Sequence, residues 1–419
     1  MPKNQDDFFN EKKPWSKVKD DLLASYLKPY FQKILRTGHP VNYIDCFAGR
    51  GEFLDGNPGS PLIAMKTARE CLIQGRSENT SLALIFIEPK WYNDLVQIVT
   101  NADRDAYPPL NPTVIQGHFE QDTPRIVSGA TRTNVFLYID PYGIKDLDHT
   151  LLASFADQSL GLNTIELLVN LNSFGFIRAA CCALKVEYQL DAALQYDDQF
   201  DDPILENMDS SARSINQLNS IAGGDYWQPI IRDYQQDHNG YTAERTFSDM
   251  YRQKLGETYR YVLSMPIRVG DRKQPKYRMV YATNHASGCV LMATDMIKRT
   301  QDLYIYLPGQ AQDSLFDQDI EGEITDPKTI ETQVRSTTAL FPDFTSADEI
   351  LARFYCDYGV ICKPGVIHKV WEQLQSKGKV EVKRKPDVTK TGRPSTYWNT
   401  DVAHHLYLRA LPSCQPATT

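Results

Sequence analysis

Five short runs of strand-forming residues, at 41–44, 81–87, 112–115, 134–139 and 164–171, alternate with stretches of helical texture in the first part of this chain. Such alternation cannot close a β-sandwich or a helical bundle. It predicts an α/β sheet of mostly parallel strands with helices on both faces. Ahead of the first run, Trp15, Val18, Leu22, Tyr26, Phe31 and Ile34 recur at helical intervals, so 15–35 reads as a helical lead-in, with Pro29 as its expected break or kink. Ser60 is placed to cap, and Pro61 to open, a helix over 60–72.

Beyond the fifth run, residues 178–254 are polar and helical in texture. They carry the acidic run Asp197, Asp198, Asp201 and Asp202, followed by Gly223-Gly224-Asp225-Tyr226-Trp227, and read as a helical insertion. Residues 259–267 and 277–283 flank a charged turn with Gly270 and Asp271, which predicts a hairpin closing the sheet antiparallel at one edge. The expected first domain is therefore 1–306, and an acidic linker over 307–326 leads to a second domain over 327–419.

In that second part, Ser346-Ala347-Asp348-Glu349 is a capping-box start and Pro364 opens a further helix ending near Gly378. Val380 and Val382 alternate with charges as in a strand, and Thr396-Tyr397-Trp398 is the expected returning strand. Helix, helix, basic hairpin is the outline of a winged helix-turn-helix. The helix over 364–376 would bury Ile367, Val370, Trp371 and Leu374 and expose His368, Lys369 and Gln373.

The formal charge of the 419-residue chain is -8, which excludes coating of nucleic acid by bulk positive charge. The charge is unevenly divided. Between Lys363 and Arg393 nine basic residues face three acidic ones, a local excess of six positive charges. Lys369, Lys383, Arg384, Lys385 and Arg393 are accordingly candidates for contact with DNA or RNA. A solvated charged face and a protein-binding winged helix are the alternatives. Eight cysteines are scattered without a C-x-x-C pair, so neither a metal site nor a disulfide framework is expected, and they read as reduced thiols of a cytoplasmic protein. No apolar segment is long enough to span a membrane.

The chemistry-bearing segment is Ile44-Asp45-Cys46-Phe47-Ala48-Gly49-Arg50-Gly51, a strand end running into a G-x-G turn. Glycines there let backbone approach a ligand at the position where open α/β sheets bind nucleotides. The second run ends in Glu88, whose carboxylate can accept both hydroxyl hydrogens of a ribose. No helix directly follows the glycines to hold a pyrophosphate, which favours a ligand without phosphates over a dinucleotide. Asp140-Pro141-Tyr142, at the end of the fourth run, suits a flat nitrogen heterocycle: a carboxylate and a carbonyl to accept from an exocyclic amine, and a ring to stack on the base. Ordinary strand-to-helix turns are the alternative reading of both segments.

Together with Trp15-x-x-x-Lys19, Gly59-Ser60-Pro61, Gly223-x-x-x-Trp227 and Tyr281-Ala282-Thr283-Asn284-His285-Ala286-Ser287-Gly288, these segments resemble the three-Cys-motif partner proteins (TcmP family). The resemblance covers roughly Trp15 to Arg299 and implies a Rossmann-like, class I S-adenosylmethionine-dependent methyltransferase fold. It implies that Asp45, Phe47, Ala48, Gly49 and Gly51 surround the amino acid part of S-adenosylmethionine, that Glu88 holds its ribose, and that His118 and Phe119 lie against adenine. Asp140-Pro141-Tyr142 resembles the D-P-P-Y motif of amino methyltransferases, with Tyr142 where the second proline stands, and implies catalytic roles for Asp140, Pro141 and Tyr142. Lys19 and Arg178 are candidate substrate contacts. The expected activity is methylation of an amino group on a DNA or RNA base. The alternative is a catalytically weak nucleic-acid-binding adaptor whose partner is a three-Cys-motif, radical S-adenosylmethionine-like protein.

Overall fold

The computed structural model describes residues 12, 14–74, 81–188, 212–268, 275–305, 326–389, 391–398, 400 and 404–414. The acidic run at 197–202, the Gly270-Asp271 turn and nearly all of the expected linker lie outside the described residues. The chain divides into two compact units, Met1–Asn284 and His285–Thr419.

In the first unit, α1 (Pro14–Thr37) leads into β1 (Val41–Asp45), followed by α2 (Ser60–Gln74), β2 (Leu82–Ile87), α3 (Tyr92–Asp103), β3 (Thr113–Ile115), α4 (Phe119–Ser128), β4 (Asn134–Ile139), α5 (His149–Ser154) and β5 (Thr164–Leu171). Helices α6 (Ser173–Leu184), α7 (Ala212–Ala222), α8 (Trp227–Asp237) and α9 (Gly240–Leu255) precede the hairpin of β6 (Tyr261–Arg268) and β7 (Pro275–Thr283). The seven strands lie in the order β3-β2-β1-β4-β5-β7-β6. β1 to β5 are parallel, and β7 runs antiparallel to both β5 and β6. This is the Rossmann-like methyltransferase fold: strand order reverses between β1 and β4, opening a crevice at their carboxyl ends.

Helix α1 departs from its expectation, because it runs on through Pro29. Interior proline costs about 3 kcal/mol in an isolated helix, but here Leu22, Leu23, Tyr26, Leu27, Tyr30 and Phe31 are buried around it. Burying a large apolar side chain is worth about 1.5–3 kcal/mol, so six of them outweigh the missing hydrogen bond. Tyr26, Tyr30, Tyr43 and Phe136 form a ladder of ring contacts between α1 and the sheet, with centroids 5.4 to 6.0 Å apart. On the opposite face, Val135, Leu137, Ile139, Leu167, Val169 and Leu171 share a core with residues of α6, α8 and α9, including Phe176, Trp227, Tyr234 and Phe247. The helical insertion therefore covers one sheet face. A buried, bidentate Arg278–Glu244 pair, at 2.6 and 2.8 Å, ties β7 to α9, and Ser173 and Ser248 donate to the same carboxylate.

The second unit begins with α10 (Ala286–Ile305), which packs against α12 (Ala347–Tyr358). The expected domain border after residue 306 therefore differs from the observed division by the whole of α10. Then come α11 (Pro327–Ala339), β8 (Thr345–Ser346), α12, α13 (Pro364–Ser376), β9 (Val380–Lys385) and β10 (His405–Ala410), the strands lying antiparallel in the order β8-β10-β9. The Ser346 side chain accepts from the Glu349 N–H at the start of α12, as the capping box requires. The partner of β9 is β10 and not Thr396-Tyr397-Trp398. Leu406 and Leu408 bury one face of β10 completely while Arg409 pairs with Glu381 across the ladder, a better two-residue alternation than 396–398 offers.

Candidate functional site

The carboxyl ends of β1, β2, β4 and β5 gather most of the candidate residues. Asp45 closes β1 and is fully buried. Its Oδ1 accepts from the Phe47 N–H at 3.3 Å, while its Oδ2 has no hydrogen-bond partner among the described residues. Burial pushes the Asp45 carboxyl up to about 7, partly offset by the nearby Ser60 side chain and the Phe47 N–H. A buried acceptor without a donor is costly, and a cation or an N–H group at Oδ2 would relieve that cost.

The turn beyond Asp45 needs its glycines. Gly49 and Gly51 have φ of 62° and 87°, and a Cβ on Gly51 would sit 2.9 Å from Leu95 Cδ1. The Gly59 N–H donates to the Gly51 carbonyl at 2.9 Å, holding the 52–59 loop down before α2. Ala48 is buried and donates to the Ile87 carbonyl. Glu88 braces the same turn: it accepts from the Gly49 N–H at 2.9 Å, from Lys90 N–H at 2.7 Å and from Trp91 N–H at 2.9 Å. A carboxylate has about four acceptor directions, so with three taken Glu88 keeps one and cannot accept both hydroxyl hydrogens of a ribose as expected from the sequence.

Phe119 is 1% exposed and belongs to the core, 5.4 Å from Phe47. His118 is exposed at the N-cap of α4. The Asp122 carboxylate folds back to accept from the His118 N–H at 2.9 Å, and a Cβ on Gly117 would meet Asp122 Oδ2 at 2.1 Å. An acidic group, Asp122 in the first turn of α4, is therefore held against the end of β3.

Asp140 follows β4, and its carboxylate is saturated. Lys19 Nζ lies 2.9 and 2.8 Å from its two oxygens, Asn170 Nδ2 donates to Oδ1 at 2.7 Å, and the Tyr138 hydroxyl donates to Oδ2 at 3.2 Å. Lys19 is itself nearly buried and sits 5.3 Å over the Tyr277 ring. Asp140 and Asp20 both act on Asp45 and raise it further, while Lys12 bridges to Asp20 at 2.5 Å. Burial pushes Asp20 up to about 6. Pro141 is buried, and Tyr142 packs 5.9 Å from Trp91 in a small cluster with Phe53, apart from the main core.

Phe53, Trp91, Tyr138 and Asn170 were not singled out in the sequence. A signal for Asn170 existed: Glu166 and Asn170 stand four residues apart, on one face of an otherwise apolar strand. Arg178 lies on α6, 7% exposed, its guanidinium 5.7 Å from the Phe174 ring, and no described contact links it to Asp140.

In the second unit, Lys369, Lys383, Lys385 and Arg393 are exposed. Arg384 is half-buried instead; it donates to the Tyr397 carbonyl at 2.8 Å and lies 5.0 Å over the Trp398 ring. His368, expected on the exposed face of its helix, is 9% exposed and stacks with Trp371 and Trp398 at 5.6 and 6.2 Å. The strip 396–398 that fails to form a strand is what covers both residues.

No family model and no curated protein matches the chain. Among solved structures, the crystal structure of the small RNA methyltransferase HEN1 matches at 11% identity with a TM-score of 0.27, covering 63% of this chain and 26% of that one. The fold assignment accordingly stands on strand order and direction. No described helix is long and apolar enough to cross a membrane.

Proposed function

We propose that the first unit is an S-adenosylmethionine-dependent methyltransferase acting on an amino group of a nucleic-acid base, in the manner of the three-Cys-motif partner family that the sequence resembles. The observation that carries this reading is Asp45 Oδ2, buried and without a donor among the described residues at the carboxyl end of β1. The cofactor's ammonium group would supply that donor. Around it, the left-handed Gly49 and Gly51 give close backbone approach, and Glu88 keeps one acceptor direction for a ribose. Asp122 stands near the end of β3 for the adenine amine. When bound, S-adenosylmethionine supplies a methyl group on a sulfonium for transfer to an acceptor nitrogen.

The chain's own residues orient the acceptor. Tyr142, backed by Trp91 and Phe53, offers an aromatic face for a flat base. The Lys19–Asp140 pair holds opposite charges together at the crevice, so that the site presents little net charge to a neutral heterocycle.

The second unit we read as a winged helix-turn-helix. Its supports are the element order α11, β8, α12, α13, β9, β10, the sheet order β8-β10-β9, and exposed Lys369, Lys383, Lys385 and Arg393 on α13, β9 and the following loop. DNA or RNA would be held through its phosphates.

The saturated Asp140 carboxylate favours a second reading, a binding adaptor for nucleic acid and a three-Cys-motif protein, because Asp140 has no acceptor direction left for a substrate amine. Labelled methyl transfer from S-adenosylmethionine to total RNA, genomic DNA and protein extract separates the two. The methyltransferase reading predicts label in a nucleic-acid fraction; label in none supports the adaptor.

A further inference from the structure

Asn170 is the penultimate residue of β5 and is 4% exposed. Its side-chain amide has two ends. Nδ2 donates to Asp140 Oδ1 at 2.7 Å, while Oδ1 is buried and has no hydrogen-bond partner among the described residues.

The orientation of that amide is fixed chemically. An ionised carboxylate only accepts, so the end of the amide facing Asp140 must be the nitrogen. The Lys19 ammonium contacts both oxygens of the Asp140 carboxylate. Asp140 and Lys19 therefore point the Asn170 carbonyl away from themselves, and turning the amide over satisfies no second end among the described residues. Asn170 also lies at the carboxyl edge of the parallel strands, where open α/β sheets take their ligands, beside the strand β4 that leads into Asp140 and Tyr142.

We propose that Asn170 Oδ1 is the acceptor for an N–H of the substrate, an amino-bearing heterocycle of the adenine or cytosine class, with Asp140 and Lys19 acting as positioning residues that fix its amide. This deepens the methyltransferase reading and rests on it. It reassigns the role expected of Asp140: the substrate amine meets the carbonyl that Asp140 orients and not the carboxylate itself.

The test uses the full chain with adenosine and cytidine, which lack the phosphates that basic residues would hold, and with their N6,N6-dimethyl and N4,N4-dimethyl analogues, which lack the amine hydrogens. Binding is read by calorimetry or ligand-observed NMR. Wild type should prefer at least one amino nucleoside over its dimethyl analogue by about tenfold or more, and Asn170→Ala should bind the two alike. Because the preference is a ratio within one protein, a variant of lowered stability still reports it, and Asn170→Leu repeats the comparison with the volume kept. A preference that survives in Asn170→Ala, or is absent from wild type, overturns the proposal. Binding of neither nucleoside also overturns it. A wild-type chain that then still methylates nucleic acid leaves the methyltransferase reading standing, and one that does not removes both.

Discussion

Lys19 Nζ contacts both carboxylate oxygens of Asp140, at 2.9 and 2.8 Å, across 121 residues of sequence. The pair is nearly buried on the lysine side and a quarter exposed on the other. It joins the lead-in helix to the end of β4, so α1 is part of the site's framework as well as a cover for the sheet. Tyr26, two turns further along α1, meets Glu166 on the same strand that carries Asn170. The seven-residue helical step is about 10 Å and the four-residue strand step about 13 Å, close enough for one helix to follow the strand and serve both contacts.

Removing the ammonium leaves a partly buried carboxylate with neutral donors only. Lys19→Met should therefore destabilise the fold by about 2 kcal/mol, below the range for fully buried pairs because Asp140 keeps some solvent. Urea unfolding of Lys19→Met, Asp140→Asn and the double variant checks this through the coupling energy. Additive losses would show that the pair is not coupled.

Asp45 predicts a pH dependence of cofactor binding. Its carboxyl sits at about 7 in the free protein, so below that pH it is largely protonated and cannot pair with the cofactor's ammonium. Affinity should rise by up to about tenfold per unit as pH increases toward 7, then level off, with a proton released on binding. Asp45→Asn should bind about 10- to 100-fold more weakly at pH 8 and lose the dependence. Calorimetry across pH 5.5 to 8 reads both.

Glu166 gives a stability prediction of definite sign. Fully buried, and accepting from Tyr26 and Tyr281, it is pushed from 4.5 up to about 7 by burial. Between those values the folded state holds a proton that the unfolded chain has released, so this group costs stability as pH rises through the window. The loss is up to about 3 kcal/mol. Glu166→Gln cannot titrate, so its stability relative to wild type should improve from pH 4.5 to 7. A constant difference over that range would contradict the assignment.

The basic residues of the second unit should separate by role. Lys369→Ala, Lys385→Ala and Arg393→Ala should weaken nucleic-acid binding by the full chain and each lower the salt slope by about 1. Arg384→Ala should instead lower the melting temperature, because its guanidinium holds the Tyr397 carbonyl and covers Trp398. Fluorescence anisotropy at several salt concentrations, with melts alongside, distinguishes them.

Much of the fold was legible because it is written in local pattern. β4 and β5 fall at their expected residues, and Ser60 and Ser346 start the helices their chemistry predicts. What was not legible depends on tertiary context. Pro29 stays helical because of the core around it, and His368 is buried because 396–398 lies over it. The turn after β1 was readable at Asp45, Gly49 and Gly51, where one strand and its turn hold the determinants of its shape. The Lys19–Asp140–Asn170 cluster was not, since its members come from three distant elements and only the folded sheet shows that Lys19 occupies the carboxylate expected to take an amine.

Titration of the full chain with S-adenosylmethionine at pH 8, followed by calorimetry, tests the central claim most directly. The expected result is saturable one-to-one binding that Asp45→Asn weakens and Asp140→Asn leaves largely intact. Absence of binding by the wild-type chain would contradict it.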